Sequence, residues 1–268
     1  MEVIPVLDVR GGRVVHAMGG DRARYVAPRS RLVTGDEPRA FARAFVCRLG
    51  VRRVYLADLT AIGGGGTGLE ATSALVGALA RDGLEVWVDA GVSSRTGTDR
   101  LLDAGAARVV AGLETLCGAR DLDALIAAFG ADRLLFSLDL RDGRPLATDP
   151  RLARTSPERI ARRATDAGFR DLLLLDLARV GRRAGPPLDW LAALGAAAPA
   201  ARWFVGGGVR DASDLRALRD AGCVGALVGT AVHVGAVGRG EIAALRSGRI
   251  PAGRRPGGPS TAAAAEAP

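Results

Sequence analysis

Two aspartates stand in nearly identical surroundings half a chain apart, and carboxylates in such a pair suit acid–base chemistry. Asp8 lies in Leu7–Arg13 (LDVRGGR) and Asp139 lies in Leu138–Arg144 (LDLRDGR). Each segment follows a short apolar run, which is typical of a buried strand that delivers a carboxylate to a loop. If both carboxylates reach one place, one can accept a proton while the other donates. We predict that they form a catalytic acid–base pair; the alternative is that both accept N–H groups of their loops.

The elements that would position this pair alternate between apolar strands and helices. The predicted strands are Val3–Val9, Val54–Leu59, Glu85–Asp89, Arg108–Gly112, Leu134–Leu140, Asp171–Leu177, Arg202–Gly206 and Ala226–Gly229. The predicted helices are Pro38–Leu49, Leu69–Arg81, Thr96–Ala104, Asp121–Phe129, Pro157–Ala167, Leu188–Ala197, Ala212–Ala221 and Gly240–Arg246. Eight strands alternating with eight helices predict an α/β fold, a closed (βα)8 TIM barrel, with an open doubly wound sheet as the alternative.

An internal repeat supports the barrel. Three pairs of segments share a spacing of 117 residues: Val88–Val92 (VDAGV) with Val205–Val209 (VGGGV), Gly112 with Gly229, and Asp103–Gly105 with Asp220–Gly222. Asp58 and Asp176 align in a further matching segment. Several matches in register indicate that the barrel consists of two repeated (βα)4 halves. In such a barrel the chemistry lies at the C-terminal ends of the strands, where Asp8 and Asp139 fall.

Glycine loops after the last two strands are candidate phosphate binders: Gly206, Gly207 and Gly208 after strand seven, and Gly229 with Thr230 after strand eight. Glycine lets backbone N–H groups approach an anion, and these loops hold phosphate in many barrels; ordinary turns are the alternative. The first-half counterparts are Asp89-Ala90-Gly91 and Gly112-Leu113. Because an aspartate repels phosphate, we expect a weakened second site that retains Gly91 and Gly112.

Three further residues and one loop have two interpretations each, and a fourth residue has one. Asp58 and Asp176 either hold substrate hydroxyls or pair with neighbouring arginines. His16 either contacts substrate or lies on the surface, and we expect His233 to lie outside the site. The glycine-rich loop at Gly63–Gly66 is either a mobile lid or a plain linker.

The composition excludes several classes of function. All 37 basic side chains besides histidine are arginines, so a lysine Schiff base, a pyridoxal phosphate anchor and a P-loop lysine are impossible. Two histidines and three widely spaced cysteines argue against a metal site and a disulfide framework. The net charge is +8, but the arginines are dispersed and aromatic residues make up only 4%, which argues against nucleic-acid binding.

The composition of the C-terminal segment and the hydropathy of the chain indicate its domain limits and its localisation. Residues 1–248 are predicted to form one barrel, and residues 249–268, rich in proline, glycine and alanine, a disordered tail. No apolar stretch approaches the roughly 20 residues that span a bilayer, and no secretory signal is evident. We therefore expect a cytoplasmic protein without a membrane partner.

The combination of these motifs resembles the HisA/HisF family of histidine-biosynthesis barrels. The segments that carry the resemblance are IPVLDVRGGRVV, FSLDLRDGR, GGGVR and VGTAV, together with the half-barrel repeat. The more similar branch is that of the phosphoribosylformimino-aminoimidazole carboxamide ribotide isomerases. The resemblance covers Met1 to Ala244, which is nearly the whole chain outside the tail.

The resemblance implies an Amadori rearrangement, in which a phosphorylated aminoaldose becomes an aminoketose without a metal or an organic cofactor. Carried over by position, Asp8 matches the general base that moves the sugar C2 proton. Asp139 matches the general acid that assists ring opening. The glycine loops at Gly206–Gly208 and Gly229-Thr230 match a phosphate site.

Three departures from the family pattern leave the substrate open. Leu175 stands where these isomerases have threonine, Val180-Gly181-Arg182 stands where they have an Asp-Gly-Thr turn, and Asp89-Ala90-Gly91 replaces a glycine loop. One alternative is therefore a diverged paralogue that acts on a smaller or singly phosphorylated sugar, in a pathway for a pterin-type one-carbon carrier. A cyclase or lyase of the synthase branch is another; it would need a glutaminase partner, which we do not expect. The last is a non-catalytic protein that binds a phosphometabolite.

Overall fold

The computed structural model describes residues 1–21, 25–64 and 69–247. The tail predicted at residues 249–268 lies outside the described residues, as does the second half of the Gly63–Gly66 loop.

Eight parallel strands form a closed barrel. In chain order they are β1 (Glu2–Arg10), β2 (Arg53–Asp58), β3 (Glu85–Asp89), β4 (Arg108–Gly112), β5 (Leu134–Arg141), β6 (Asp171–Asp176), β7 (Arg202–Gly206) and β8 (Gly225–Val228). Each pairs with the next, and β8 pairs with β1 from Gly225 beside Glu2 to Val228 beside Pro5. This closure confirms the barrel over the open sheet, and each predicted strand end lies within one residue of the observed end.

Eight longer helices of the described residues alternate with the strands. They are α1 (Pro38–Ala44, continued by a π-helix at Phe45–Leu49), α2 (Leu69–Arg81), α3 (Arg95–Asp103), α4 (Arg120–Phe129), α5 (Pro157–Ala167), α6 (Leu188–Ala197), α7 (Ala212–Asp220) and α8 (Arg239–Ser247). Their ends follow local chemistry: the Ser156 side chain caps α5, Pro157 occupies its first turn, and Gly168 ends it in the left-handed region. Among the described residues, no helix is long and apolar enough to cross a membrane.

The interior of the barrel is a separate apolar layer. It comprises Ile4, Tyr55, Ala57, Trp87, Val110, Leu135, Leu173, Phe204 and Leu227. Because strand side chains alternate between faces, positions two or four residues further along each strand also point inward, nearer the C-terminal mouth. Asp8 follows Ile4 by four residues, Asp89 follows Trp87 by two and Asp139 follows Leu135 by four. Strand periodicity therefore directs these three carboxylates to the mouth.

Opposite charges ring the other end of the barrel, and they come from the first residues of strands. Asp171 at the start of β6 accepts bonds from Arg202 at 2.6 and 2.7 Å and pairs with Arg108. Arg53 binds Glu85 at 2.8 Å, and the guanidinium groups of Arg53 and Arg108 each lie 4.8 Å from the Trp87 ring centre. Such networks at the N-terminal face of a barrel serve stability rather than chemistry.

Candidate active site

Asp8 and Asp139 occupy equivalent positions in two β-hairpins. β1 turns back at Gly11-Gly12 and β5 at Asp142-Gly143, each into a two-residue antiparallel strand. All four turn residues have a positive φ, between 51° and 76°, as a two-residue type I′ hairpin requires. In both hairpins the backbone carbonyl of the aspartate accepts a backbone N–H at 2.8 Å from the returning segment. The two similar segments, Leu7–Arg13 and Leu138–Arg144, therefore form two equivalent β-hairpins, each of which holds an inward-pointing carboxylate.

The two aspartates meet in a cavity of about 860 Å³ at the C-terminal ends of the strands. The predicted site residues that line it are Asp8, Asp139, Gly112, Gly207, Gly208, Gly229 and Thr230. Gly91, Gly206 and Asp176 are not among its lining residues. The fold thus brings the acid pair and most of the second-half glycine loops to one cavity.

Asp139 is a buried carboxyl in an environment that favours its protonated form. Its side chain is 5% exposed, and it accepts bonds from Ser137 Oγ at 2.6 Å and from the Glu114 N–H at 3.3 Å. Burial is the main reason that its pKa rises to about 8; the charge of Asp89 raises it further, while the bond from Ser137 opposes the rise. Asp139 therefore carries a proton at neutral pH and can donate it.

Asp8 is suited to the opposite role. Burial, followed by the charge of Asp89, raises its pKa to about 7. Its pKa is thus near neutrality, so a substantial fraction of Asp8 is ionised near pH 7 and can accept a proton.

Asp89, expected only as a defect in a glycine loop, is a third carboxylate of the same cavity. Its Oδ2 accepts the Tyr55 hydroxyl at 3.2 Å and its Oδ1 accepts the Gly91 N–H at 3.2 Å. A Cβ on Gly112 would lie 3.4 Å from Asp139 Oδ2 and 3.8 Å from Asp89 Oδ2, so glycine keeps the space between the two acids open. The two-residue step from buried Trp87 is the sequence signal that could have identified Asp89 as inward-facing.

The loop after β7 requires glycine. Gly207 and Gly208 have φ of 96° and 85°, and a Cβ on Gly207 would lie 2.6 Å from the Asp176 carbonyl oxygen. On the neighbouring loop, the Thr230 hydroxyl lies 3.0 Å from His16 Nε2. Both loops thus line the same cavity.

Asp176 and Asp58 are engaged in structural contacts. Asp176 accepts the Arg179 Nε–H at 2.9 Å and the Ala178 N–H at 3.0 Å. Asp58 caps the short helix Leu59–Gly63 and accepts the Thr72 hydroxyl at 2.6 Å. Of their two interpretations, the geometry favours the structural one for both.

The two histidines lie together at the mouth. His16 lines the cavity, and burial lowers its pKa, which favours the neutral form of its ring. The expectation that His233 lies outside the site is wrong, because the short helix Thr230–His233 follows β8 directly and places this ring in the cavity wall. The His233 ring packs 5.5 Å from the Phe41 ring and lies 3.1 Å from Ser30 Oγ, and burial lowers its pKa to about 4.

Two of the departures from the resembled pattern also line the cavity, at Leu175 and at Val180-Gly181. Arg183, in the same loop, lines it too, with an unusual positive φ of 51°. Sequence reasoning missed Arg183, since no periodicity marks a loop residue. These residues form part of the surface that a substrate would contact.

Comparison with known proteins agrees with this architecture. Residues 2–238 match the family model described as "Histidine biosynthesis protein". A protein of Xanthomonas campestris pv. campestris is 36% identical over 240 residues, which cover 87% of this chain and 94% of the relative. One of Stenotrophomonas maltophilia is 35% identical over 236 residues, which cover 86% and 93%. Both are named 1-(5-phosphoribosyl)-5-((5-phosphoribosylamino)methylideneamino) imidazole-4-carboxamide isomerase. The chain therefore belongs to the histidine biosynthesis protein family.

Proposed function

We propose that this protein is an aldose–ketose isomerase that acts on a phosphorylated aminosugar by an Amadori rearrangement. The observation that carries the proposal is the pair of inward-facing aspartates, Asp8 and Asp139, held by matching hairpins in one cavity. Relatives named as isomerases of a phosphoribosylamino compound support the reaction class.

The two aspartates suffice for the proton balance of this reaction. Asp139 donates a proton to the ring oxygen as the bond from C1 to that oxygen breaks, which leaves a C1=N iminium group. Asp8 removes the proton from C2, and the electron pair forms an enolamine. Asp8 then returns its proton to C1, the enol hydroxyl gives its proton to Asp139, and the aminoketose results. Because both groups end in their starting states, the cycle needs no cofactor.

The second-half loops hold the phosphate in this proposal. Gly207 and Gly208 bring open backbone to the cavity, and Thr230 offers a hydroxyl that His16 orients at 3.0 Å. Successive backbone N–H groups around residues with positive φ form concavities suited to anions. Arg183 also lines the cavity, and its positive charge complements a phosphate.

The cyclase alternative has less support than the isomerase. Ammonia delivered from a partner under the barrel would have to pass the barrel axis. Trp87 and Phe204 pack edge to face there, with ring centres 5.0 Å apart, and two arginines flank Trp87. The non-catalytic alternative shares the cavity but predicts ligand binding without turnover.

Exposed free thiols at Cys47 and Cys117 suit the reducing cytoplasm, where we place the protein.

The direct test is an assay of the purified protein with the substrate for which the relatives are named, alongside rescue of a strain that lacks that isomerase. Conversion of the aminoaldose to the aminoketose would support the proposal. Tight binding of the compound without conversion would favour the non-catalytic alternative instead.

The dependence of kcat/KM on pH should be bell-shaped, with its maximum between about pH 7 and 8. Activity falls below about pH 7 because Asp8 gains a proton and can no longer act as base. It falls above about pH 8 because Asp139 loses the proton that it must donate. Steady-state kinetics from pH 5 to 10 would measure both limbs; a profile that is flat from pH 5 to 7 would contradict the role of Asp8.

Replacing Gly207 by alanine should raise KM about tenfold or more, with a smaller effect on kcat. Its φ of 96° disfavours any side chain, and the new Cβ would collide with the Asp176 carbonyl oxygen, so the loop must move. The matched control is Gly195→Ala, because Gly195 lies in α6 and a Cβ there meets nothing within 4 Å. If inorganic phosphate inhibited Gly207→Ala and the unaltered protein equally, the loop would not be the phosphate site.

A further inference from the structure

The loop after β7 leads directly into α7, and a carboxylate of that helix holds the junction between them. Asp214, in the first turn of α7, is 5% exposed and accepts three hydrogen bonds from Arg210. They come from the backbone N–H at 2.8 Å, from Nε at 2.9 Å and from Nη2 at 2.6 Å. A bidentate contact between guanidinium and carboxylate adds geometric specificity to its strength. Arg210 directly follows Val209, which lines the cavity, and both its backbone and its side chain are therefore fixed.

The guanidinium of Arg210 lies against the loop after β6. A Cβ on Gly185 would lie 3.5 Å from Arg210 Cζ, so the guanidinium covers this glycine closely. The Gly185 N–H donates to the Gly208 carbonyl at 2.9 Å, and a Cβ on Gly208 would overlap the Gly185 carbonyl oxygen. The backbones of the two loops are thus in direct contact, and Arg210 packs over the point where they meet.

The backbone carbonyl of Arg210 holds a further residue of the cavity wall. Arg183 lines the cavity, and its Nη2 donates to this carbonyl at 3.1 Å. Arg179 also joins the two loops, because its Nη1 donates to the Gly185 carbonyl at 3.0 Å. The loops after β6 and β7 therefore share one polar network, and Asp214 connects that network to a helix, which positions groups more accurately than a loop does.

We propose that Asp214 is a positioning residue for phosphate binding. Through Arg210 it fixes the backbone of Gly207 and Gly208 and the place of the Arg183 guanidinium. Asp214 is not among the described residues that line the cavity, so it acts through the loops rather than by touching the ligand. This inference rests on the proposed function, because it concerns the phosphate site of the same cavity.

Asparagine at position 214 is the substitution that separates these contacts from the volume of the side chain. It has nearly the same shape as aspartate but carries one acceptor oxygen and no charge, so it cannot accept both guanidinium N–H groups. Arg210 is then free to leave Gly185, and the two loops lose their fixed arrangement. Phosphate must order the loops as it binds, and that cost reduces the affinity.

The probe is inorganic phosphate, whose dissociation constant is measured by titration calorimetry with the purified protein. We expect Asp214→Asn to raise this constant at least about tenfold. In turnover of the aminoaldose, the variant should raise KM by a similar factor and leave kcat within about twofold. Asp220→Asn is the matched control, because Asp220 lies on the same helix and binds Arg219 at 2.8 and 3.0 Å but is mostly exposed. It should leave all three values unchanged.

Two further variants separate positioning from a general loss of stability. Asp171→Asn also removes a buried carboxylate from arginine partners, but at the opposite end of the barrel, so its phosphate dissociation constant should be unchanged. Arg210→Gln removes only the guanidinium and should also weaken phosphate binding. Combined with Asp214→Asn, it should weaken binding no more than Asp214→Asn alone, because the two residues act as one unit. If Asp214→Asn does not fold, unchanged phosphate binding by Arg210→Gln would overturn the inference.

The outcomes distinguish this inference from the proposed function. Unchanged phosphate binding by folded Asp214→Asn would overturn the inference, as would a fall in kcat with an unchanged KM. Weaker phosphate binding by this variant, in a protein that converts no aminoaldose, would support the role of Asp214 and count against the isomerase function. If the unaltered protein converted the aminoaldose but bound no phosphate, the inference would be overturned and the isomerase function would stand.

Discussion

Asp8→Asn and Asp139→Asn should each lower kcat by about 10²–10⁴-fold, because each removes one of the two groups that move protons in the proposed rearrangement. An asparagine at position 8 cannot take the C2 proton, and one at position 139 cannot protonate the ring oxygen. KM should change little, since the phosphate loops are untouched. Initial rates of conversion of the aminoaldose, measured at pH 7.5 with each purified variant, would check this.

Asp142→Asn is the matched control for both variants. It makes the same chemical change in the hairpin that carries Asp139, at an exposed residue whose positive φ asparagine tolerates well. We expect it to keep full activity. Unfolding is not the expected cause of the loss in the other two, because burial disfavours both carboxylates and a neutral amide removes that cost. Full turnover by either variant would eliminate that aspartate as a catalytic residue.

Asp171→Asn should lower the free energy of unfolding by about 3 kcal/mol, because it leaves two arginines without their shared partner. Asp171 is 1% exposed and bridges Arg108 and Arg202 at the N-terminal face of the barrel. Arg108 is itself mostly buried, so water cannot fully replace the lost carboxylate. Urea unfolding followed by circular dichroism would measure the difference.

Asp132→Asn provides the comparison for this stability effect. Asp132 also pairs with an arginine, Arg170, but at 3.8 Å and with both side chains more than two-thirds exposed, so its loss should change stability by less than about 0.5 kcal/mol. The folded Asp171→Asn protein should keep its kcat, because the substitution lies at the opposite end of the barrel from the cavity. A large fall in the kcat of Asp171→Asn with unchanged stability would contradict the assignment of stability to the N-terminal end of the barrel and of catalysis to the C-terminal end.

Much of the fold could be predicted from local patterns. Apolar runs of strand length, alanine-rich amphipathic stretches and the 117-residue repeat indicate a duplicated (βα)8 barrel, and helix caps such as Ser156-Pro157 mark boundaries through contacts within a few residues. The paired segments around Asp8 and Asp139 likewise predicted the acid pair that the barrel brings to one cavity. These features can be predicted from the sequence because residues close together in the chain determine them.

The sequence by itself thus determined the fold class, the repeat and the catalytic candidates, whereas the tertiary structure decided how the site is composed. Only the tertiary structure brings Asp89 near Asp139 and Asp8, which lie 50 and 81 positions away in the chain. Only the packing of the loops shows that Asp176 is engaged with Arg179 and that His233 lines the mouth. The physical reason is that burial and the charge of neighbouring groups set the pKa of a carboxylate, and both depend on residues far apart in the chain. Two local sequence motifs identify the pair of aspartates, but the tertiary structure of the barrel sets their pKa values.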